Sequence, residues 1–309
     1  MSGPSDRVFD PEIIEELGRI DWIADAIVDG FKQGLHRSTT RGFSTEFSEF
    51  KPYTKGDDPR FLDWRLFART RRLFVRRFEA ETNMTCSLLL DCTRSMAWQW
   101  ESTVPKLRYG ANLAAALARL FLHQQDCVAL YAAAGRGEPA VLPPSSRRDQ
   151  LDHIYAVLAA QNPNSAPCLD ALFTACLGQS GARGQLILFS DLEEGGEEGL
   201  SRLPELLSMG HEAMVVHILD RAEVELPFSD GITHLVDSES GARHSVDMPE
   251  LRRRHDGEVA AFRARWRRLC AKHGAAYVPL DTGVDYVTAL RHIVAGRRHF
   301  IEMETDAAR

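Results

Sequence analysis

The chain has 309 residues, 44% of them hydrophobic and 26% charged, which is enough apolar material for a full core and excludes general disorder. Its 37 basic and 44 acidic side chains leave a net charge of -7, which argues against a whole-chain binder of nucleic acid or of an anionic membrane. The longest apolar stretch, residues 111–122, is about a dozen long and broken by Arg119, whereas a membrane helix needs about 20 residues. No membrane span is expected, and without a leader-like amino terminus the expected location is cytoplasmic.

In chain order, Asp10-Pro11 sets a capping side chain before a proline, and Ile13, Leu17, Ile20, Ile27 and Phe31 follow at near-helical spacing. This predicts one amphipathic helix over 11–32. Residues 34–53 lack a sustained period and read as irregular or short strand. Asp58-Pro59 repeats the cap-and-proline signal and opens a short helix through Arg69, and a strand is expected over 73–79. From 84 onward short apolar runs alternate with long helical stretches. The runs are 86–90, 128–133, 186–189, 213–219 and 276–280; the helices are expected near 105–123, 147–160, 168–178, 197–209, 249–273 and 285–296. The fold class is therefore α/β, a doubly wound, mainly parallel sheet with helices on both faces. A hairpin is expected over 233–247. Three segments result: an amino-terminal helical and irregular extension over 1–83, the sheet domain over 84–300, and a tail over 301–309.

Open parallel sheets gather ligands beyond the carboxyl ends of their strands. The run ending at Leu90 delivers Asp91-Cys92-Thr93-Arg94-Ser95 to that edge, and the run ending at Phe189 delivers Ser190-Asp191. Asp91, Thr93, Ser95 and Asp191 are hard oxygen donors suited to Mg2+ or Mn2+, with water completing the shell and a partner's acidic side chain able to replace one water. Alternatively, Asp91 and Asp191 cap loops, with the two hydroxyls bonding nearby backbone.

Asp91-x-Thr93-x-Ser95 resembles the Asp-x-Ser-x-Ser signature of the metal-ion-dependent adhesion site of von Willebrand factor A domains, and Ser190-Asp191 resembles its last loop. Upstream, Gly34-Leu35-His36-Arg37-Ser38, Gly42 to Phe47, Lys51-Pro52-Tyr53, Gly56-Asp57-Asp58-Pro59-Arg60-Phe61-Leu62-Asp63-Trp64-Arg65 and Ala68-Arg69 resemble the signature of the bacterial domain-of-unknown-function family numbered fifty-eight. The resemblance, over roughly 20–300, implies a von Willebrand factor A-like sheet and a MoxR-type AAA+ ATPase as partner. The middle loop departs from the pattern: Pro167 stands where a threonine is usual, and it has no hydroxyl or backbone donor. Ser165 or a water is left to fill that position, so the metal site is degenerate.

Asp57, Asp58, Arg60, Asp63, Arg65 and Arg69, with Trp64, form a charged cluster read first as an ion-pair clamp and second as a docking surface. The arginines of 252–268 make a basic helix, read as a solvated face; without interleaved aromatics beyond Trp266, nucleic acid is not the expected partner. The six cysteines contain no CxxC pair and read as reduced thiols, with Cys92 and Cys168 on loops of the same sheet edge. The chain carries no phosphate loop of the GxxxxGK[ST] kind. The leading expectation is a non-enzymatic protein-interaction module, an adaptor or scaffold presenting the Asp91 and Asp191 edge. The alternative is a Mg-dependent phosphoryl-transfer enzyme with Asp91 as nucleophile or metal ligand; Thr93 stands where its second acid belongs, and no lysine across the site can be assigned from sequence.

Overall fold

The computed structural model describes residues 9–37, 50–52, 74–76, 84–101, 103–134, 138–163, 169–179, 183–193, 199–237 and 241–307. Two compact units emerge, one of 1–37 with 84–309 and a small one of 38–83. The expected extension over 1–83 is thus divided, its helical part belonging with the sheet. In the small unit β1 (Phe50–Pro52) pairs antiparallel with β2 (Phe74–Arg76), Lys51 opposite Val75. The helix expected over 58–69, with Asp57, Asp58, Arg60, Asp63, Trp64, Arg65 and Arg69, lies outside the described residues.

The large unit begins with two helices where one was expected, α1 (Pro11–Glu15) and α2 (Ile20–Arg37). Asp10 caps α1 by accepting the Glu12 N–H at 3.1 Å. Gly18 then adopts φ +68°, a left-handed conformation that costs glycine little, and breaks the helix before Ile20. The strands that follow are β3 (Thr85–Leu90), β4 (Cys127–Ala134), β5 (Glu138–Ser145), β6 (Gly184–Ser190), β7 (Glu212–Leu219), β8 (Ile232–Val236), β9 (Arg243–Asp247) and β10 (Ala276–Asp281). Six of them form a sheet in the order β10-β7-β6-β3-β4-β5, and every neighbouring pair is parallel except β4–β5. β8 and β9 make the expected hairpin. The central strands are covered on both faces, so β6 is buried at every position and reads as a continuous apolar run instead of an alternating one.

The remaining helices are α3 (Lys106–His123), α4 (Gln150–Ala159), α5 (Leu169–Gln179), α6 (Leu203–Ser208), α7 (Arg221–Glu225), α8 (Met248–His273) and α9 (Tyr286–Ala307). From β3 the chain crosses through α3 to β4; from β6 it crosses the other way through α6 to β7. Right-handed connections in opposite directions put α3 on one face of the sheet and α6, with α8, on the other. α9 continues to Ala307, past the expected stop near 296 and through most of the expected tail.

β5 was not expected as a strand. It carries Pro139, Pro143 and Pro144, which cannot donate to a ladder, and it occupies the sheet's antiparallel edge, where such residues are tolerated.

α3 is buried nearly all round, at Leu107, Phe121 and every residue from 109 to 118. Such a helix needs cover on both sides. The sheet supplies one: a Cβ at Gly110 would lie 3.1 Å from Ile218 Cδ1 and 3.3 Å from Leu90 Cδ1. α2 supplies the other, through Ile23, Ile27 and Phe31, each at most 2% exposed. A polar staple fixes the register of this layer. Asn112 Nδ2 donates to the Tyr286 hydroxyl at 2.9 Å and to Glu15, Tyr286 donates to Glu15 at 3.2 Å, and Arg108 pairs with Glu15 at 3.1 Å. Ile27→Ala is expected to lower unfolding free energy by about 2–5 kcal/mol, the usual cost of emptying a well-packed apolar site. Urea unfolding should show one shifted transition; a separate early transition would mean that α2 is not part of the cooperative core.

Candidate functional site

β3 and β6 lie side by side at the centre of the sheet and their crossovers diverge, which opens a crevice at their carboxyl ends. The four neighbouring strands β3, β6, β7 and β10 carry Asp91, Asp191, Asp220 and Asp281 at or just beyond those ends. Parallel strands concentrate acids here because each ends on the same edge.

Asp91, Thr93, Ser95 and Asp191 all come to this point, and all are buried, at 0%, 1%, 2% and 0% exposure. They do not form the exposed face expected from the sequence. Two local features close them in. A single 3-10 turn, Ser95–Ala97, folds over the end of β3. After Asp191 the chain doubles back through Leu192, whose φ of +56° is uncommon for a non-glycine residue and whose side chain is only 1% exposed.

The polar groups satisfy one another. Asp91 accepts the Thr93 N–H at 2.9 Å on Oδ1 and the Ser190 hydroxyl at 2.6 Å on Oδ2; Ser190 Oγ in turn accepts the Leu192 N–H at 2.9 Å. The Thr93 and Ser95 hydroxyls bond each other at 3.0 Å. Asp191 instead meets a cation: Nζ of Lys106, the first residue of α3, lies 2.8 Å from Asp191 Oδ2 and 2.9 Å from Glu223 Oε1, with the lysine side chain wholly buried. Burial pulls the ammonium's pKa down, but Asp191, Glu223 and Glu193 outweigh it and hold it above the ordinary value. The lysine also sits at the positive end of a helix, an unfavourable place for a cation, so the carboxylates alone keep it charged there.

Asp220 organises the other side. It caps α7 by accepting the Ala222 N–H at 2.7 Å, accepts the hydroxyls of Thr103 at 2.9 Å and Thr282 at 3.3 Å, and its own N–H donates to Glu223 Oε2 at 2.6 Å. One buried carboxylate thus ties the loop after β3, the start of α7 and the loop after β10. Beneath Asp191, His217 Nε2 lies 3.0 Å from the Asp191 carbonyl oxygen, which can only accept, so Nε2 carries the proton and Nδ1 accepts from the Tyr277 hydroxyl at 2.5 Å. Burial pushes this imidazole down to about 4 and keeps it neutral at physiological pH.

A divalent ion needs several oxygens converging with their lone pairs free. Here Asp91 is occupied by Ser190 and Thr93, the two hydroxyls are turned to each other, and Asp191 is neutralised by Lys106. Among the described residues no group of three or more acidic, histidine or cysteine side chains is arranged to hold a metal. The described residues therefore do not fit Mg2+ or Mn2+ while Lys106 stays in place. Ser165, Pro167 and Cys168 lie outside the described residues; Cys92 is buried, its thiol 3.6 Å from Leu90 O and from Gln161 Oε1.

Sequence reasoning missed Lys106, Asp220 and Glu223. Lys106 left a trace, a cation that with Arg108 stands in the first turn of a helix, against the usual charge preference of helix ends. Asp220 and Glu223 left another, a capping box spelled Asp-x-x-Glu directly after an apolar run.

The fold and site define an α/β domain whose strand-end acids surround an internal ammonium. The chain belongs to the family described as protein of unknown function DUF58, whose profile matches residues 49–265. Uncharacterised proteins of Mycobacterium bovis and Mycobacterium tuberculosis are 28% identical to it over 298 residues, covering 94% of this chain and 92% of each relative. Among solved structures it is similar to the conserved hypothetical protein BatB of Bacteroides thetaiotaomicron, at 16% identity and a TM-score of 0.48 over 71% of this chain and 99% of that one. It is also similar to a von Willebrand factor type A structure from Catenulispora acidiphila, at 12% identity and a TM-score of 0.34 over 48% and 34% of the two chains. No helix among the described residues is long and apolar enough to cross a membrane.

Burial, and then the charge of Asp191, push the Asp91 carboxyl up to about 6. A carboxyl raised in the folded state binds its proton more tightly there than in the unfolded chain, where it titrates near 4. Its contribution to stability is therefore lost as pH rises from about 4 through about 6. Asp91→Asn removes that slope and is expected to cost less stability at pH 7 than at pH 4, by a difference of about 1–3 kcal/mol, read from denaturant midpoints across that range. Lys106→Met leaves two carboxylates in the interior without their cation and is expected to cost about 3–5 kcal/mol. Millimolar Mg2+ should leave the melting temperature of the native protein unchanged and raise that of Lys106→Met; a rise in the native protein would show that an ion shares the site with the ammonium.

Proposed function

We propose that this chain is a non-enzymatic protein-interaction module, an adaptor or scaffold. The observation that carries the reading is the closed, self-paired centre at the switch point. Where a catalyst of small-molecule chemistry would hold an accessible nucleophile, base or open cation position, Asp91, Thr93, Ser95 and Asp191 are buried and bonded to their neighbours. Large apolar side chains are exposed elsewhere, among them Trp22 on α2 and, most of all, Ile232 at 74% and Val236 at 56% on the β8–β9 hairpin, as suits a surface that meets another protein.

The partner implied by the family resemblance is a MoxR-type AAA+ ATPase, with this chain serving it in chaperone-like assembly or remodelling. The absence of a phosphate loop in this chain agrees with an accessory role, because the ATP-driven work then falls to the partner. Lys106 favours the second reading, phosphoryl transfer from Asp91, in one respect: it is a lysine at the site. Its ion-pair partners are Asp191 and Glu223, however, and both Asp91 oxygens are engaged, so the adaptor reading accounts for more of the geometry.

Copurification of the tagged chain with a MoxR-type AAA+ ATPase of its own organism is expected, with and without nucleotide. Reproducible failure of that copurification would remove the assigned partner, and metal-dependent turnover of a generic phosphate ester, abolished in Asp91→Asn, would replace the adaptor with an enzyme.

A further inference from the structure

Beside the closed centre, between α7, the β8–β9 hairpin and α8, lies a cleft of about 870 Å3. That volume is within the range of roughly 300–1,000 Å3 typical of ligand clefts. Its walls are apolar, built from Leu226 and Phe228 after α7, Leu235 on the hairpin, and Leu251, Phe262 and Trp266 on α8. Four carboxylates line it as well: Glu193 and Asp237, with Glu223, which is paired to Lys106, and Glu258, which is paired to Arg254.

The cations on the lining are fewer. Lys106 is wholly buried and committed to Asp191 and Glu223, which leaves Arg265 as the guanidinium among the described lining residues. His255 lies with Nε2 3.2 Å from the Val224 carbonyl oxygen. Glu193 is exposed at the mouth. An apolar trough under a negative rim selects a ligand that is apolar and positive at once.

We propose that this cleft receives a segment of a partner protein in which a large apolar side chain stands beside a lysine or arginine. The apolar side chain enters between the hairpin and α8, and the cation lies against Glu193 at the mouth. The proposal rests on the interaction-module reading and gives it a place and a chemistry. The recognised charge is positive, the reverse of what a metal-bearing adhesion site would take, because this chain's own ammonium is used up internally and Glu193 is the exposed carboxylate at the mouth.

Random peptides of about a dozen residues, panned against the immobilised full chain with counter-selection on a Leu235→Asp variant, test this directly. The enriched peptides are expected to pair an aromatic or aliphatic residue with a lysine or arginine and to quench or shift the emission of Trp98 and Trp266, both of which line the cleft. Their dissociation constants should rise at least about tenfold in Leu235→Asp and in the rim variant Glu193→Lys, and weaken further with salt. Unchanged melting temperatures show that both variants are folded. Enrichment of acidic peptides, no enrichment at all, or binding indifferent to both variants overturns the proposal. An ATPase that copurifies equally with the native chain and both variants leaves the adaptor reading standing and removes the cleft from it. Cleft-dependent peptide binding without any ATPase copurification does the opposite.

Discussion

The site depends on one ammonium sealed from water. Lys106 Nζ, placed by the first turn of α3, reaches Asp191 after β6 and Glu223 in α7, elements that are distant in sequence and adjacent only because the sheet is wound in two directions. An unpaired charge in such a position costs several kcal/mol, so each of the three groups needs the other two. That mutual need fixes where α3 starts, how the chain turns after Asp191 and where α7 sits. Asp220 adds the backbone side of the same arrangement, since it caps α7 while holding Thr103 and Thr282. The closed centre is in this sense a joint: it sets the mutual positions of the loops after β3, β6, β7 and β10, on which any surface at this edge is built.

The fold explains why the joint is acidic. Parallel strands end together, and four neighbouring strands of this sheet end in aspartate. One lysine offsets part of that charge, and hydrogen bonds to Asp91 and Asp220 spread more of it over neutral donors. Asp91, which has no cation among its strongest influences, responds by holding its proton to a higher pH. Charge that cannot be neutralised inside is protonated more readily, and Glu193 at the mouth of the neighbouring cleft shows the same response, its carboxyl pushed up to about 7 chiefly by desolvation.

Much of this was legible in the sequence, at the level where local pattern decides. Buried parallel strands write themselves as apolar runs, so the central strands and the acids that follow them could be located, and the α/β class with them. What escaped was set by single residues acting against the pattern. Gly18 divides an amphipathic stretch that otherwise reads as one helix, and three prolines disguise β5, whose place at the edge makes them harmless. The charged cluster around Asp63 and Trp64 falls outside the described residues, and its role is the same expectation it was in the sequence. The donor quartet was placed correctly and its exposure was not. Whether a carboxylate at a strand end faces solvent depends on how the next few residues turn, and the left-handed Leu192 has no local signature in its sequence. Lys106 is a different kind of miss. Its position at the positive end of a helix was visible as a broken rule, and its partners 85 and 117 residues further along the chain were not, because only the tertiary fold brings them within 3 Å.

Acids gathered at one sheet edge repel one another, and that repulsion has to be met by something. In this chain it is met in part by Lys106, which the fold supplies from the first turn of α3 to Asp191 and Glu223. The arrangement bears on the sign of the local field. A bound divalent ion with an open position would attract an acidic group from outside, whereas an ammonium held between two carboxylates carries no surplus positive charge outward. A cation supplied by the chain itself and a cation taken from solution would therefore present opposite fields at the same strand ends, and the interaction proposed for the neighbouring cleft follows from the first of these.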